Sequence, residues 1–170
     1  APGDAIENMS AQCRLSIRNC RFGKANTHLR IQTRGPVVME NCRTEMPIWL
    51  TGDLNYWYES SPCESFTARN VDFVGMSGTV RAIPEVAVTP ENPFYHGCLT
   101  LERCRFDNGR PVFARKTRRI VVEDCRQAQG GRLTIDLEDC GESSASGCEV
   151  VRKSTRMQKA PCLQGGNVKQ

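Results

Sequence analysis

The sequence predicts an all-β fold: a right-handed parallel β-helix, a solenoid of about five to six coils. Two repeated segments and one absence predict it. The first segment is a strand ending spelled five times: Leu15-Ser-Ile17-Arg-Asn19-Cys20, Val37-Val-Met39-Glu-Asn41-Cys42, Phe66-Thr-Ala68-Arg-Asn70-Val71, Leu99-Thr-Leu101-Glu-Arg103-Cys104 and Ile120-Val-Val122-Glu-Asp124-Cys125. The copies recur at 22, 29, 33 and 21 residues. The second is another apolar stretch between the copies, around Leu29, Ile48, Val80, Val112 and Ile135. The absence is that of helical periodicity.

Each copy of the first segment sets apolar residues two apart and then ends on a polar turn residue and a small residue, which is a strand leaving a corner. One such strand cannot bury its apolar face alone, so successive coils must stack. Strands that meet their counterparts one period later run parallel, and the right-handed crossover rule sets the hand. A sandwich would instead join neighbours by hairpins and would not need the same corner residue in every copy.

In the second segment the alternation turns Leu29, Ile48, Val80 and Val112 inward, with Ile31, Leu50, Ala82 and Ala114 inward two residues on. One outward row then reads Arg30, Trp49, Arg81, Phe113, and the next reads Gln32, Thr51, Ile83, Arg115. Aromatic rings between guanidinium groups suit a sugar-binding stripe, and packing of Trp49 under the loop that follows Asp53 is the alternative.

The chain of 170 residues is long enough for one core and shows no composition break, so a single domain over 1–170 is expected, with 148–170 as a last coil, cap or loose tail. It begins at Ala1-Pro2, consistent with a removed leader or with a piece of a longer β-helix, whose open ends would favour association. A net charge of +4, with basic residues scattered along the chain, argues against a nucleic-acid partner, and no apolar run is long enough to span a membrane. The densest basic cluster, Arg115-Lys116-Thr-Arg118-Arg119, reads as a solvated turn.

Ten cysteines invite a disulfide reading, but the repeat changes it. Cys20, Cys42, Cys104 and Cys125 hold one corner that also accepts Val71, so they are expected to be packed free thiols. Cys140, Cys148 and Cys162 fall in what reads as an irregular C-terminal stretch, where one bridge is expected; Cys13, Cys63 and Cys98 receive no assignment. With two His residues and no acidic ligand cluster, no metal or other cofactor is expected.

Two coils are longer than the rest, and insertions in solenoids map to binding faces. The first, Gly52-Asp53-Leu-Asn55-Tyr56-Trp57-Tyr58-Glu59-Ser60, gathers two carboxylates and three aromatic rings; the second begins at Glu85. Glycoside hydrolysis needs two carboxyl groups across the scissile bond, one with its pKa raised by apolar neighbours, and Asp53 and Glu59 among Trp49, Trp57 and Tyr58 are candidates. Taken singly, Asp53 equally suits a cap on the turn after Gly52, and Glu59 an ion pair with an arginine.

These residues carry a resemblance to glycoside hydrolase family 110, the β-helical α-galactosidases acting on terminal α-1,3-linked galactose. The run Gly52-Asp53-Leu-Asn55-Tyr56-Trp57-Tyr58-Glu59-Ser60 resembles the family's Gly-Asp-x-Asn-x-Trp-x-Glu-Ser pattern, and Ile17-Arg-Asn19, Arg30-Ile31-Gln32, Ile83-Pro-Glu85, Phe94-Tyr-His96 and Pro111-Val-Phe-Ala114 resemble its C-terminal coils. The resemblance implies a pectate-lyase-like solenoid, a secreted or extracellular carbohydrate-active protein and a glycan substrate. It implies Asp53 and Glu59 as acid and base, and Arg30, Trp49, Trp57, Tyr58, Arg81 and Glu85 as substrate-binding residues. No Asp-Asp pair like that of the family's upstream coils occurs here, and Ser61-Pro62 stands where the family has glycine. A non-catalytic glycan-binding or structural module is therefore the second expectation, and a polysaccharide lyase with clustered carboxylates the third.

Overall fold

A computed structural model describes residues 6–8, 14–23, 29–31, 35–45, 48–52, 63–75, 80–84, 93–109 and 112–154. Among them all pairing is parallel, there is no helix, and the strands fall into three sheets. The first sheet holds β1 (Ile6–Asn8), β4 (Leu29–Ile31), β7 (Ile48–Gly52), β10 (Val80–Pro84), β13 (Val112–Arg115), β16 (Leu133–Glu138) and β18 (Val150–Ser154). The second holds β2 (Leu15–Arg18), β5 (Pro36–Glu40), β8 (Ser65–Arg69), β11 (His96–Glu102), β14 (Thr117–Glu123) and β17 (Glu142–Ser146). The third holds β3 (Arg21–Phe22), β6 (Arg43–Thr44), β9 (Asp72–Phe73), β12 (Arg105–Phe106) and β15 (Arg126–Gln127). The chain visits the three sheets in turn and pairs each strand with its counterpart in the next repeat, an order compatible with a β-helix.

The strand ending read from the sequence is the end of the second sheet. Val37, Phe66, Leu99 and Ile120 are in register, as are Met39, Ala68, Leu101 and Val122, and all are buried. The third sheet follows directly. Its strands are two residues long, so no apolar alternation marks them in the sequence, yet they add Phe73 and Phe106 to the core, stacked with ring centroids 4.6 Å apart.

Between the two sheets the chain turns on one residue in the left-handed region: Asn19, Asn41, Asn70, Arg103 and Asp124, with φ of 55°, 53°, 51°, 50° and 50°. Asparagine and aspartate tolerate this region better than other residues with a Cβ, because their short polar side chains hydrogen-bond locally. The turn residue keeps its place in the ladder. Asn19 N–H donates to the Glu40 carbonyl, Asn41 to Arg69, Asn70 to Glu102 and Arg103 to Glu123, at 2.9–3.0 Å. Bending thus costs no inter-strand hydrogen bond.

The cysteine that follows each turn points its sulfur inside. Cys42 Sγ donates to the Glu40 carbonyl at 3.1 Å, and Cys104 and Cys125 repeat the contact with Glu102 and Glu123 at 3.4 and 3.3 Å. Each carbonyl already has a backbone donor from the preceding repeat or ends the row, so Val71 replaces cysteine without leaving the Arg69 carbonyl unpaired. These four thiols are free, as expected.

The C-terminal cysteines require a correction. Ser143-Ser-Ala145-Ser-Gly147-Cys148 is a sixth copy of the strand ending, in register with Ile120 to Glu123; Gly147 turns at φ 62°, and Cys148 Sγ donates to Ser146 at 3.3 Å. Cys140 lies at another corner, after Asp139 at φ 47°, which is in line with Lys116 at φ 46°. Neither Cys140 nor Cys148 forms the expected bridge; Cys162 lies outside the described residues. Serine at the apolar positions and glycine at the turn hide this copy from a hydrophobic pattern.

Burial raises the thiols of Cys42 and Cys148, and it pushes Cys63, at 2% exposure, up to about 12. In the buried Cys104 and Cys125 pair the shared hydrogen bond, with burial, pushes Cys125 up, so the two do not ionise together.

Two predictions come from these corners and thiols. Asn41→Ala keeps the left-handed turn but loses the side-chain hydrogen bond from Asn70, and should cost about 1–2 kcal/mol in urea unfolding, whereas Asn41→Gly should cost less. A raised folded pKa stabilises fully below the unfolded value of 9.0 and is lost as pH climbs toward about 12 for Cys63. Stability should therefore fall by about 1.4 kcal/mol per pH unit between 9.0 and about 12 for this thiol alone, and level off beyond. Unfolding of Cys63→Ala should show a visibly flatter alkaline decline.

Candidate functional site

Three of the residues singled out for sugar binding lie in the first sheet. Register pairs Arg30 with Trp49, Trp49 with Arg81, and Arg81 with Phe113. The row continues to Glu7 on one side and to Asp136 and Lys153 on the other. It alternates along each strand with the positions of Ile48, Val80 and Val112, which are fully buried, so it belongs to the opposite face of the sheet by the pleat. Within the row Phe113 is half-buried, and the Arg115 guanidinium carbon sits 5.5 Å from the ring centroid, within cation–π range. Arg115 is fixed in turn by Glu138, with Nε to Oε2 at 2.6 Å.

β7 and β10 also share their last residues. Thr51 pairs with Ile83 and Gly52 with Pro84. Asp53 follows Gly52 and Glu85 follows Pro84, so both long insertions leave the sheet from neighbouring register positions, about 4.8 Å apart at the strand spacing. Asp53, Trp57, Tyr58, Glu59 and Glu85 themselves lie outside the described residues.

His96, one of two histidines, is buried at the start of β11, where its Nδ1 accepts the Cys63 N–H at 3.2 Å and its ring meets Tyr95 edge-on. It is a core group remote in register from the row above. Gly97 beside it is required by space, since a Cβ there would run into the Glu64 carbonyl. Among the described residues no three His, Cys, Asp or Glu side chains are grouped to hold a metal ion, and no helix is long and apolar enough to cross a membrane.

A second feature escaped the sequence. A groove of about 650 Å³ follows the corner between the second and third sheets. One wall carries Arg21, Arg43, Asp72, Arg105 and Arg126, successive partners along the third sheet. The other carries the turn residues Asn19, Asn41, Asn70, Arg103 and Asp124. Successive arginines of that wall stand 21 to 62 residues apart in the chain and look scattered there; each directly follows a corner cysteine, which is the signal that aligns them. Beside this groove a row of alternating charge, Arg18, Glu40, Arg69 and Glu102, is linked at 2.9, 3.2 and 2.7 Å. Hydrogen bonding from Arg69 lowers the Glu102 pKa, and the same bond raises that of Arg69. Such exposed pairs hold register more than they add stability.

Parallel-sheet architecture and a register row that alternates cationic and aromatic residues describe the class of protein: an all-β repeat scaffold. Comparison with known proteins gives it a chemical direction. The chain is 39% identical over 75 residues to alpha-1,3-galactosidase B of Bacteroides thetaiotaomicron, covering 42% of this chain and 12% of that protein. It is 28% identical over 114 residues to alpha-1,3-galactosidase A of Streptomyces avermitilis, covering 63% of this chain and 18% of that protein. The chain thus spans less than a fifth of the length of either relative. These matches support a relationship to glycoside hydrolases of the family 110 type. No family model matches the chain, and no solved structure matches it at a significant level.

Proposed function

We propose that the chain is a run of coils from a right-handed parallel β-helix of a secreted glycoside hydrolase that removes terminal α-linked galactose from glycans. Its similarity to two α-1,3-galactosidases is the observation that carries the chemistry. The three-sheet winding supports the helix, since a parallel crossover of this kind is right-handed in nearly all proteins. Pairing of Gly52 with Pro84 supports the location, at the end of β7 and β10.

In this proposal Asp53 and Glu59 work as a pair across the glycosidic bond. One protonates the leaving oxygen, and the other attacks the anomeric carbon or activates water on the opposite face of the sugar. The acid needs a raised pKa, which desolvation by Trp57 and Tyr58 would supply. Trp49 stacks on the apolar face of the galactose ring, Arg30 and Arg81 donate to its hydroxyls, and Glu85, from the neighbouring insertion, accepts from them. Because the chain covers a small share of its relatives, other coils of a longer protein complete the site.

The test is hydrolysis of aryl α-galactosides and of α-1,3-linked galactobiose, by the chain alone and within the longer protein. Glu59→Gln and Asp53→Asn should each lower kcat about 100-fold or more, and Trp49→Ala should raise KM with less effect on kcat. Galactose release unaffected by either carboxylate change would exclude these residues as the catalytic pair.

A further inference from the structure

The corner groove has a chemistry of its own, separate from the galactosidase proposal because the first sheet contributes nothing to its lining. Its two walls differ. On the third-sheet wall the Arg43 and Arg105 guanidinium groups flank Asp72, each with a nitrogen 3.9 Å from Oδ2. Pairs this long and this exposed bind weakly and leave most guanidinium donors available. Arg105 also approaches Asp107 at 3.6 Å. Arg21 and Arg126, at the two ends, have no carboxylate partner among the described residues.

The turn-residue wall is an amide ladder. Asn70 Nδ2 donates to Asn41 Oδ1 at 3.2 Å, and Arg103 Nε donates to Asn70 Oδ1 at 3.0 Å. Each amide has donors and acceptors beyond the ones these bonds use. In total the lining holds five arginines against two aspartates. Successive positions advance by one strand, so five of them form a track about 19 Å long at about 4.8 Å per step.

We propose that this groove binds a linear acidic polysaccharide, one bearing carboxylate or sulfate groups along a hydroxyl-rich chain. A repeating ligand suits a repeating track. The guanidinium wall meets the anionic groups in charge-assisted hydrogen bonds, while the amide wall meets hydroxyls, which both donate and accept. A single-stranded nucleic acid would match the charge but needs aromatic platforms for its bases, and no aromatic side chain lines the groove.

Calorimetric titration with a trigalacturonate-to-hexagalacturonate series, a sulfated dextran oligomer, neutral dextran and an oligothymidylate of equal charge tests this. Both acidic saccharides should bind and neutral dextran should not. The double change Arg43→Gln with Arg105→Gln should weaken saccharide binding at least about tenfold. Asn41→Gly with Asn70→Gly keeps the left-handed turns and should weaken saccharide binding severalfold while leaving oligothymidylate unchanged. Arg21→Gln and Arg126→Gln, whose side chains take no part in the corner ladders, should each weaken binding in a protein of unaltered thermal unfolding. Arg118→Gln with Arg119→Gln, away from the groove, should have no effect. Absence of saccharide binding, binding indifferent to both wall changes, or oligothymidylate bound as tightly with the same losses would each overturn the proposal.

Discussion

The hydrogen bond donated by each left-handed corner residue to the neighbouring repeat is the constraint on which the rest of the structure depends. Asn19 to Glu40, Asn41 to Arg69, Asn70 to Glu102, Arg103 to Glu123 and Asp124 to Ser146 form one unbroken file at 2.9–3.0 Å. A slip of one residue in any repeat would turn its buried row to solvent. The corner pins the register at the point where a bend would otherwise break it, and every row on the molecule is aligned by that pin.

Several properties follow from the same file. Thiols stack inside because the residue after the turn must be small and apolar, and sulfur gains a weak acceptor at the carbonyl two residues back. Phe73 and Phe106 stack because the two-residue strands beyond the corner inherit its register. Outside, the same inheritance lines up arginines on one face of the corner and amides on the other. Repeats lengthen between corners without disturbing this, and so the sequence insertions after Gly52 and Pro84 coexist with pairing of those two residues.

Much of this was legible in the sequence because two-residue periodicity and a constant corner are local signals. Ile17, Met39, Ala68, Leu101 and Val122 were identifiable as one interior row, and the sequence alignment of Arg30, Trp49, Arg81 and Phe113 matches the observed register. The third sheet was not legible, since Arg21-Phe22 or Asp72-Phe73 is too short to show a period. The sixth corner was hidden by Ser143 and Ser146, and its glycine does the work of asparagine at φ 62°. Of the candidate site, the sequence revealed the composition of the insertion but not its surroundings. The arginine groove was invisible because residues separated by whole repeats become neighbours only after the strands are paired.

The central claim is that galactose binds where β7 and β10 end, between the two insertions. A crystal structure with α-1,3-linked galactobiose tests it most directly. The account predicts a sugar ring against Trp49 and within hydrogen-bond reach of Arg81, with Asp53 and Glu59 on either side of the glycosidic oxygen. A disaccharide bound elsewhere, in the arginine groove above all, with the end of β7 and β10 empty, would contradict it.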